Sequence, residues 1–540
     1  MDNLEIAARL EAFAFLLELV EANPYTVRAY RRAAETIRTA AIPVEELVAS
    51  GRVRQLRGIG PGIEARLREL VQTGQIAELE ELERELAPDL VGLGRYLGLG
   101  ARRSVEVARA LGVRTAEEFR EAAAEGRLAA VPGIGPKTEA RLLAALAREG
   151  EPRPRQGLLL NRAWELVGNI AAALEGTAAG DVRRWRDSCE RLAVVCAARE
   201  PEPALVKFAA LPQIVAVIEK EERRALGLTL EGLPIELVAA QPARFGTALL
   251  RATGSGAYVA ALGRLPDAPD ERALYDRLGL PFCPPELREA PFWGTPPALL
   301  GQDQIRGDLH SHTTWSDGRA SVEEMGRAAK ERGYDYLAIC DHTPAVGAVR
   351  GLSADEVRRQ GEEIAAANER LAPFRVLRGI ECDILPDGRL DLPDDVLAEL
   401  EWVQASVHGS QRMPRRELTR RVEKALRNPY VRCLSHPTGR YINRRAENAL
   451  DLERVFRIAR EQGVALEVNG LPDRLDLSGE HVHRALEAGV QLVCSTDAHS
   501  IRGLENMTLS VATARRGWAT ADRVLNARGL EAVIAPRRGA

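Results

Sequence analysis

The chain has 540 residues and a formal net charge of −4; 45% of its residues are hydrophobic and 28% are charged. This length exceeds a single hydrophobic core, so we expect several domains, and the charge balance excludes a protein that is basic over its whole surface. None of the seven cysteines forms a C-x-x-C pair, and no apolar run approaches the length of a membrane span. The sequence therefore predicts free buried thiols, no membrane association and a cytoplasmic location.

Residues 1–150 predict short amphipathic helices, among which one phrase occurs three times. Gly-hydrophobic-Gly followed by a helix is found in LRGIGPGIEARLREL (56–70), YLGLGARRSVEVARAL (96–111) and VPGIGPKTEARLLAAL (131–146). Such a turn places backbone N–H groups at a helix N-terminus, where they can hold one DNA phosphate without reading sequence. An ordinary helix–helix turn is the alternative, and the middle copy fits DNA binding least well. The expected DNA-binding residues are Gly58, Gly60, Gly62, Gly98, Gly100, Gly133, Gly135 and Lys137.

Helices and apolar strand-like runs are mixed between residues 160 and 298. LAVVCAA, PQIVAVIE and LPIELVAA predict strands, and a Pro-rich connector ends this part near residue 301. We therefore expect a small α+β unit here.

From residue 302 onward, seven apolar runs alternate with helical stretches. They are IRGDLHSH, YDYLAICDHT, FRVLRGIEC, WVQASVH, VRCLSHP, VALEVNG and QLVCSTDAH. Alternation at this spacing predicts a parallel sheet or a closed α/β barrel. A barrel of this kind carries its functional site at the carboxyl ends of its strands.

Each of these runs ends in a side chain able to bind a metal. His310 and His312 lie two residues apart, so on a strand both point to the same side. Asp341 and His342 are adjacent and point to opposite sides; we choose His342 as the ligand. Glu467 and Asn469 end the sixth run but are not needed for the set. The nine candidate ligands are His310, His312, Asp317, His342, Glu381, His408, His436, Asp497 and His499.

The chemistry of these nine groups favours transition metals. Imidazole mixed with carboxylate suits Zn²⁺, Mn²⁺ or Fe²⁺ better than Ca²⁺. Nine ligands suffice for three ions if Glu381 bridges two, and such clusters activate water and clamp the oxygens of a phosphoryl group. The alternative is that strand-end histidines cap backbone groups or lie in a core. His481 and His483 are predicted to be surface residues at a helix start and are left out.

The strand-end phrases resemble the polymerase-and-histidinol-phosphatase (PHP) domain family. DLHSHTTWSDG, CDHT, GIECDIL, ASVHGS, LSHPTGR and STDAHS are similar to its successive motifs, in order. The resemblance implies a distorted (β/α)7 barrel with three divalent metal ions, Mn²⁺ as first choice and Zn²⁺ or Fe²⁺ as alternatives. It also implies that His310, His312, Glu381, His408 and Asp497 act in catalysis through the bound metals.

The resemblance distributes the ligands over three metals. The first takes His310, His312, Glu381 and Asp497, the second takes Glu381, His408 and His436, and the third takes Asp317, His342 and His499.

The first 300 residues resemble the bacterial DNA polymerase X family, whose members carry a PHP domain at the C-terminus. The implied fold is a multidomain α/β chain with N-terminal helix-hairpin-helix domains, a small nucleotidyltransferase-like palm and thumb, and the barrel. The implied regions are 1–85 (helical, DNA-binding), 86–155 (fingers-like), 156–238 (palm-like), 239–298 (thumb-like) and 302–540 (PHP).

The palm-like region departs from that family at the positions that hold Mg²⁺. A polymerase X palm needs three carboxylates, two of them in an Asp-x-Asp pair on a strand. Aligned on AAGDVRRWRDSCERLAVVCAA (178–198), these positions hold Glu190, Leu192 and Glu236. Leucine binds no metal and glutamate misplaces one, so we expect polymerase activity to be lost.

Two further departures point the same way. Asp181 stands where the family has a phosphate-contacting serine, and a shift of three in the alignment would nominate Asp187 but restore no Asp-x-Asp pair. Arg66 stands where relatives with lyase activity have a lysine, and a guanidinium cannot form a Schiff base.

The combined expectation is a metal-dependent DNA 3′–5′ exonuclease that processes 3′ ends in DNA repair. It would act as a monomer on gapped, nicked or 3′-recessed DNA, with Arg440 or Arg474 as an additional phosphate contact. One alternative is a small-molecule phosphomonoesterase of the histidinol-phosphatase type, because the ligands do not separate a monoester from a diester. The other is a non-catalytic DNA-repair scaffold.

Overall fold

A computed structural model describes residues 3–19, 22–38, 43–56, 58–79, 106–107, 110–113, 116–132, 134–135 and 157–535. Of the expected DNA-binding residues, Gly98, Gly100, Gly133 and Lys137 lie outside the described part of the chain.

The N-terminal region is helical. Its described helices are α1 (Asn3–Leu19), α2 (Pro24–Arg38), α3 (Val44–Ala49), α4 (Pro61–Thr73) and α5 (Ala116–Ala124). The first four helices share one apolar core, in which the rings of Phe13 and Tyr30 pack edge to face with centroids 5.0 Å apart. The first predicted turn is followed by a helix, α4, as expected. Pro61 occupies the first position of this helix, where a backbone N–H would have no partner within the helix.

The glycines of this first turn leave its outer face open. Gly58 adopts φ +91°, a conformation that favours glycine, and Gly60 is the N-cap of α4. A Cβ at Gly58, Gly60 or Gly62 would meet no atom within 4 Å. Gly135, from the third predicted turn, is also exposed.

The central region, residues 157–298, contains a five-stranded sheet and a separate pair of short strands. Its strands are β1 (Leu158–Leu159), β2 (Thr177–Gly180), β3 (Ser188–Cys189), β4 (Leu192–Ala197), β5 (Ile214–Lys220), β6 (Arg224–Thr229) and β7 (Pro234–Ala240), and its helices are α6 (Leu160–Ala173), α7 (Glu202–Ala209), α8 (Phe245–Thr253), α9 (Gly256–Ala261) and α10 (Glu271–Leu278). The sheet order is β2-β4-β7-β6-β5, in which only β4 and β7 run parallel, while β1 and β3 form a separate antiparallel pair.

The C-terminal part is a nearly closed parallel barrel. Its strands are β8 (Gly307–Ser311), β9 (Tyr336–Ile339), β10 (Arg375–Asp383), β11 (Trp402–Ser406), β12 (Cys433–Leu434), β13 (Ala465–Asn469) and β14 (Leu492–Ser495), in sequential order across the sheet. The ends meet where Ser311 bridges Ala498 and the His312 N–H donates to the Ala498 carbonyl at 2.8 Å. All seven predicted runs are confirmed as strands.

Helices surround this barrel on its outside. They are α11 (Val322–Glu331), α12 (Ala354–Leu371), α13 (Asp394–Leu397), α14 (Arg415–Leu426), α15 (Leu452–Gln462), α16 (Gly479–Glu487), α17 (Met507–Arg516) and α18 (Leu530–Ile534). α11 begins with a capping box between Ser321 and Glu324, and α15 turns its apolar residues Val455 and Phe456 into the core.

The barrel and the central region share an apolar interface. Ile442, Leu475 and Leu509 of the barrel belong to the same buried cluster as α6 and β4 of the central region. At its edge, Arg440 of the barrel lies 2.7 Å from the Asp187 carboxylate of the central region. All seven cysteines are free and buried, as predicted. Within the described residues, none of the helices combines the length and apolarity that a bilayer span requires.

Candidate metal centre

The barrel brings all nine predicted ligands to one mouth, at the carboxyl ends of its strands. His310 and His312 extend from β8, and their Nε2 atoms lie 3.1 Å apart. Asp497 follows β14, and its Oδ1 lies 3.1 Å from Nε2 of His312. Asp317 comes from the loop after β8, and its Oδ2 lies 3.2 Å from Nε2 of His499. Side chains as distant in sequence as His312 and Asp497, which are 185 residues apart, thus form one polar cluster.

Glu381 on β10 lies at the centre of this cluster. Its Oε1 is 2.7 Å from Nε2 of His436 and 3.6 Å from Nε2 of His408. Its Oε2 is 3.0 Å from Nδ1 of His342 and 3.4 Å from Nε2 of His310. The two oxygens of one buried carboxylate therefore face different groups of imidazoles, the arrangement that a bridging carboxylate needs.

The ligand atoms fall into three groups, each with its atoms within 4.8 Å of one another. The groups are His312, Asp317, His342 and His499; His310, His312 and Asp497; and His342, Glu381 and His408. The division differs from the expected one, because His312 and His342 each belong to two groups and His436 belongs to none. His436 nevertheless contacts Glu381 more closely than His408 does.

The hydrogen bonding of the cluster fits bound metal ions. Nδ1 of His312, Nδ1 of His342 and Oε2 of Glu381 are buried and make no hydrogen bond among the described residues; the last two lie 3.0 Å apart without hydrogen-bond geometry. Buried polar atoms without a partner are rare in folded proteins and need an explanation. Here the three orphaned atoms are a nitrogen–nitrogen–oxygen donor set in a cluster of imidazoles and carboxylates, the chemistry that Zn²⁺, Mn²⁺ and Fe²⁺ accept.

A second layer of carboxylates orients the imidazoles. Oε1 of Glu467 lies 2.6 Å from Nδ1 of His310, and Oδ2 of Asp383 lies 3.0 Å from Nδ1 of His408. A carboxylate at one ring nitrogen fixes the tautomer and leaves the other nitrogen as a lone-pair donor. Glu467 was identified from the sequence without this role, and Asp383 was not predicted. The signal for Asp383 was its position two residues after Glu381, on the same side of β10.

Asp341 points away from the cluster. Its carboxylate accepts hydrogen bonds from the Thr313 N–H at 2.8 Å and from the Gln360 side chain at 2.6 Å. Its neighbour His342 faces Glu381 instead, as the alternation of side chains along a strand requires.

The electrostatics of the cluster are dominated by burial and by close imidazole–carboxylate pairs. Burial opposes ionisation of Glu381, yet the surrounding His408, His310 and His342 hold its pKa well below the ordinary value. Burial, together with the charges of His499 and His342, lowers the pKa of His312 to about 3. Glu381 is therefore ionised and His312 neutral at pH 7, the protonation states that bind metals.

His499 shows the opposite shift. Burial opposes its protonation, but the Asp317 and Asp497 carboxylates raise its pKa to about 9. The two carboxylates therefore favour a positive charge at this position. A bound metal cation would supply that charge in place of the protonated imidazole.

Comparison with known proteins identifies the family. A helix-hairpin-helix domain model matches residues 1–76, a SAM-like helix-hairpin-helix tandem matches residues 97–148, and a PHP domain matches residues 308–470. The DNA polymerase/3′-5′ exonuclease PolX of Bacillus subtilis is 35% identical over 569 residues, which cover 99% of this chain and 99% of that relative. The chain belongs to the PolX family. The two resemblances seen in the sequence, to polymerase X and to the PHP domain, are confirmed.

Other relatives of this PolX chain share only part of it. A probable phosphatase of Acetivibrio thermocellus is 31% identical over 201 residues, covering 36% of this chain and 78% of the relative. A probable phosphatase of Photobacterium profundum is 28% identical over 217 residues, covering 36% of this chain and 79% of the relative.

The PolX positions expected to hold polymerase metals line a separate cavity of about 330 Å³ in the central region. Leu192 is 2% exposed on β4, and Glu236 on β7 is ion-paired with Arg224. The Asp181 carboxylate accepts the backbone N–H groups of Glu190 at 2.8 Å and Arg191 at 2.9 Å.

Asp187, the other carboxylate considered for the polymerase site, faces the barrel. Its partners there are Arg440 at 2.7 Å and Arg516 at 4.0 Å. Arg440 also donates to the backbone carbonyl of Arg474 at 2.8 Å, so its guanidinium is committed to the interface. This pairing removes the physical basis for Arg440 as a phosphate contact.

Arg474 is the better placed of the two arginines. Its Nη2 donates to the Tyr441 hydroxyl at 2.8 Å, while its Nε is buried without a partner among the described residues. Burial lowers its pKa, but the negative charges of Asp497, Tyr441 and Glu381 outweigh that effect and raise it.

The two histidines set aside in the sequence analysis differ in exposure. His483 is 46% exposed on α16, as predicted. His481 is 9% exposed and lies 3.5 Å from Glu447, so its prediction as a surface residue was wrong. Position 481 lies on the buried side of α16, together with Gly479, Val482 and Ala485.

Proposed function

We propose that this chain is a metal-dependent 3′–5′ DNA exonuclease that processes 3′ ends in DNA repair and has lost polymerase activity. The observation that carries the proposal is the cluster around Glu381, with its three orphaned buried donor atoms and its second layer of carboxylates. The Bacillus subtilis relative is named as a DNA polymerase and 3′–5′ exonuclease, and the shorter relatives are named as probable phosphatases.

The open turn at Gly58–Gly62 supports a DNA substrate. Its glycines leave the start of α4 accessible, and a helix N-terminus can bind a phosphate without reading the base sequence. We infer contacts to gapped, nicked or 3′-recessed DNA by a monomer.

In the proposed reaction water attacks the terminal phosphodiester, the bond from phosphorus to the 3′-oxygen breaks, and a nucleoside 5′-monophosphate leaves. Three metal ions held by the nine ligands, Mn²⁺ by first choice, would activate the water and neutralise the phosphate. Glu467 and Asp383 would hold the protons of His310 and His408 on Nδ1, which would leave each Nε2 free to bind a metal. The guanidinium of Arg474 would orient a nonbridging phosphate oxygen.

Loss of polymerase activity is inferred from the central cavity. Leucine at position 192 offers no metal ligand, and Glu236 is neutralised by Arg224. The Asp181 carboxylate occupies the backbone N–H groups that would otherwise face an anion, and it also pairs with the buried Arg184. An incoming nucleoside triphosphate would meet the negative charge of Asp181 at the place where its phosphates need hydrogen-bond donors. In the N-terminal region, Arg66 is paired with Glu69 at 3.1 Å, and lyase activity is likewise expected to be absent.

A phosphomonoesterase acting on a small molecule is the second candidate, because the phosphatase relatives match about a third of the chain. The two candidates share the metal centre and differ in the substrate, so the attached DNA-binding regions favour the nuclease.

The test combines elemental analysis with hydrolysis by the purified full-length chain. A 5′-labelled, 3′-recessed duplex, p-nitrophenyl phosphate and a labelled primer with dNTPs are each incubated with Mn²⁺. We expect stepwise 3′ shortening, little monoester turnover and no primer extension. His408→Ala should abolish shortening, and His483→Ala, an exposed histidine of the same barrel, should retain it. Monoester turnover without DNA shortening would refute the nuclease, and primer extension would refute polymerase loss.

A further inference from the structure

Two tryptophans of the central region stack on each other at its boundary with the barrel. Trp164 lies on α6 and Trp185 lies in the loop after β2; their ring centroids are 4.1 Å apart and their planes differ by 19°. Trp164 is 41% exposed, which is unusual for so large an apolar side chain. Trp185 adopts φ +57°, a left-handed conformation that is costly for a bulky residue and persists only where the surroundings impose it.

The stacked pair forms one wall of a cleft of about 630 Å³ between the central region and the barrel. Pro472, Ser500 and Arg502 of the barrel also line this cleft. Ser500 directly follows the candidate ligand His499, so the chain that lines the cleft leads straight into the metal centre. Trp164 is one of the five large hydrophobic side chains exposed in the described residues, and it lines this cleft.

We propose that this cleft binds the single-stranded 3′ end of a DNA strand, with a base stacked on Trp164 and Trp185 and the following phosphate directed to the metal centre. The inference rests on the proposed nuclease function and names the form of DNA that reaches the site. Aromatic platforms beside a phosphate-binding groove are how proteins hold single strands without sequence preference, because every base has a flat apolar face.

The polar groups around the cleft suit this occupant. Arg502 lines it with a side chain 52% exposed, held only loosely by Glu505 at 3.7 Å. Arg474 lies two residues after Pro472, and its buried Nε has no partner among the residues that the structure covers. The cleft therefore offers an aromatic stack for a base and an exposed guanidinium for the sugar-phosphate backbone, and Ser500 connects it along the chain to the ligand His499. A duplex end would have to fray before its 3′ nucleotide could enter.

The test is Trp164→Ala in the full-length chain, with two readouts. Binding of fluorescein-labelled oligo(dT) is followed by anisotropy in EDTA, where no cleavage occurs, and shortening of the same oligonucleotide is followed with Mn²⁺. We expect Kd and KM to rise roughly ten- to a hundredfold, the range that one lost base–aromatic stack produces. Hydrolysis of bis(p-nitrophenyl) phosphate, which has no nucleobase, corrects each preparation for intact metal centres.

Trp293→Ala is the matched control, because Trp293 is also 41% exposed but lies outside the cleft; its oligo(dT) affinity should equal that of the unmodified chain. Trp164→Phe keeps a smaller aromatic ring, so its oligo(dT) affinity should lie between those of Trp164→Ala and the unmodified chain. It replaces Trp164→Ala in the test if the alanine variant does not fold. Equal oligo(dT) affinity for all variants would refute the proposal that the cleft binds single-stranded DNA. If the chain binds oligo(dT) through Trp164 but shortens no DNA, the nuclease function is refuted, while the proposal that the cleft binds single-stranded DNA stands.

Discussion

Asp383→Asn is the substitution that most directly tests how the metal centre is organised. Asp383 is 2% exposed; one carboxylate oxygen accepts the backbone N–H of His408 at 3.1 Å and the other lies 3.0 Å from its Nδ1. Asparagine has nearly the same shape, but if its oxygen keeps the backbone N–H, its NH₂ group faces Nδ1. The imidazole then accepts at Nδ1 and carries its proton on Nε2, the atom that faces Glu381.

The magnitude follows from that change of tautomer. Loss of a carboxylate partner behind a metal-ligating histidine typically costs about 10- to 100-fold in metal affinity or activity. This corresponds to about 1.4–2.7 kcal/mol at 25 °C. We therefore expect the Mn²⁺ concentration for half-maximal DNA shortening to rise by that factor, with partial recovery of the rate at high Mn²⁺.

The assay is a Mn²⁺ titration of DNA shortening, with metal content measured on the same preparations. Asp355→Asn is the control, because Asp355 is 92% exposed on the outside of the barrel. An unchanged titration for Asp383→Asn would refute the reasoning, since it would mean that the tautomer of His408 does not limit metal binding.

Two further predictions concern stability. Metal removal with EDTA should lower the melting temperature in differential scanning fluorimetry, because a cation at 100 times its Kd stabilises the folded chain by about 2.7 kcal/mol; no shift on adding Mn²⁺ back would contradict this. Glu271→Ala should cost about 3–5 kcal/mol in urea unfolding, because it leaves the fully buried Arg288 without its carboxylate, and a cost near zero would contradict the role of this pair. Burial opposes ionisation of Glu271, but Arg183 and Arg288 outweigh it and lower its pKa, so its stabilising contribution is complete above its unfolded pKa of about 4.3 and is lost as the pH falls further. Urea midpoints measured from pH 7 to pH 3 should therefore fall more for the unmodified chain than for Glu271→Ala.

The barrel was predictable because its strands are short apolar runs that end in conspicuous polar residues. Side chains alternate between the two sides of a strand. This alternation predicted that His310 and His312 lie on one side and that Asp341 points away from the side of His342. Parallel strands then required the ends to converge, so the location of the site followed from local pattern alone.

The remaining features depend on contacts that local pattern does not encode. β6 was not predicted, because ERRALGLTL mixes charged residues and glycine and is stabilised by its antiparallel neighbours β5 and β7. The role of Asp383 depends on a neighbouring strand, β11, that brings His408 alongside it. The burial of His481 depends on how α16 packs, which its sequence does not specify.

The shared interface also constrains how this chain can change over time. Ile442, Leu475 and Leu509 are 9%, 0% and 8% exposed, and they are covered by the central region rather than by the barrel's own helices alone. Deleting the central region would expose this apolar surface and leave Arg440 without Asp187. The central region therefore contributes packing to the barrel in addition to any chemistry of its own, and its interface residues are constrained by that packing.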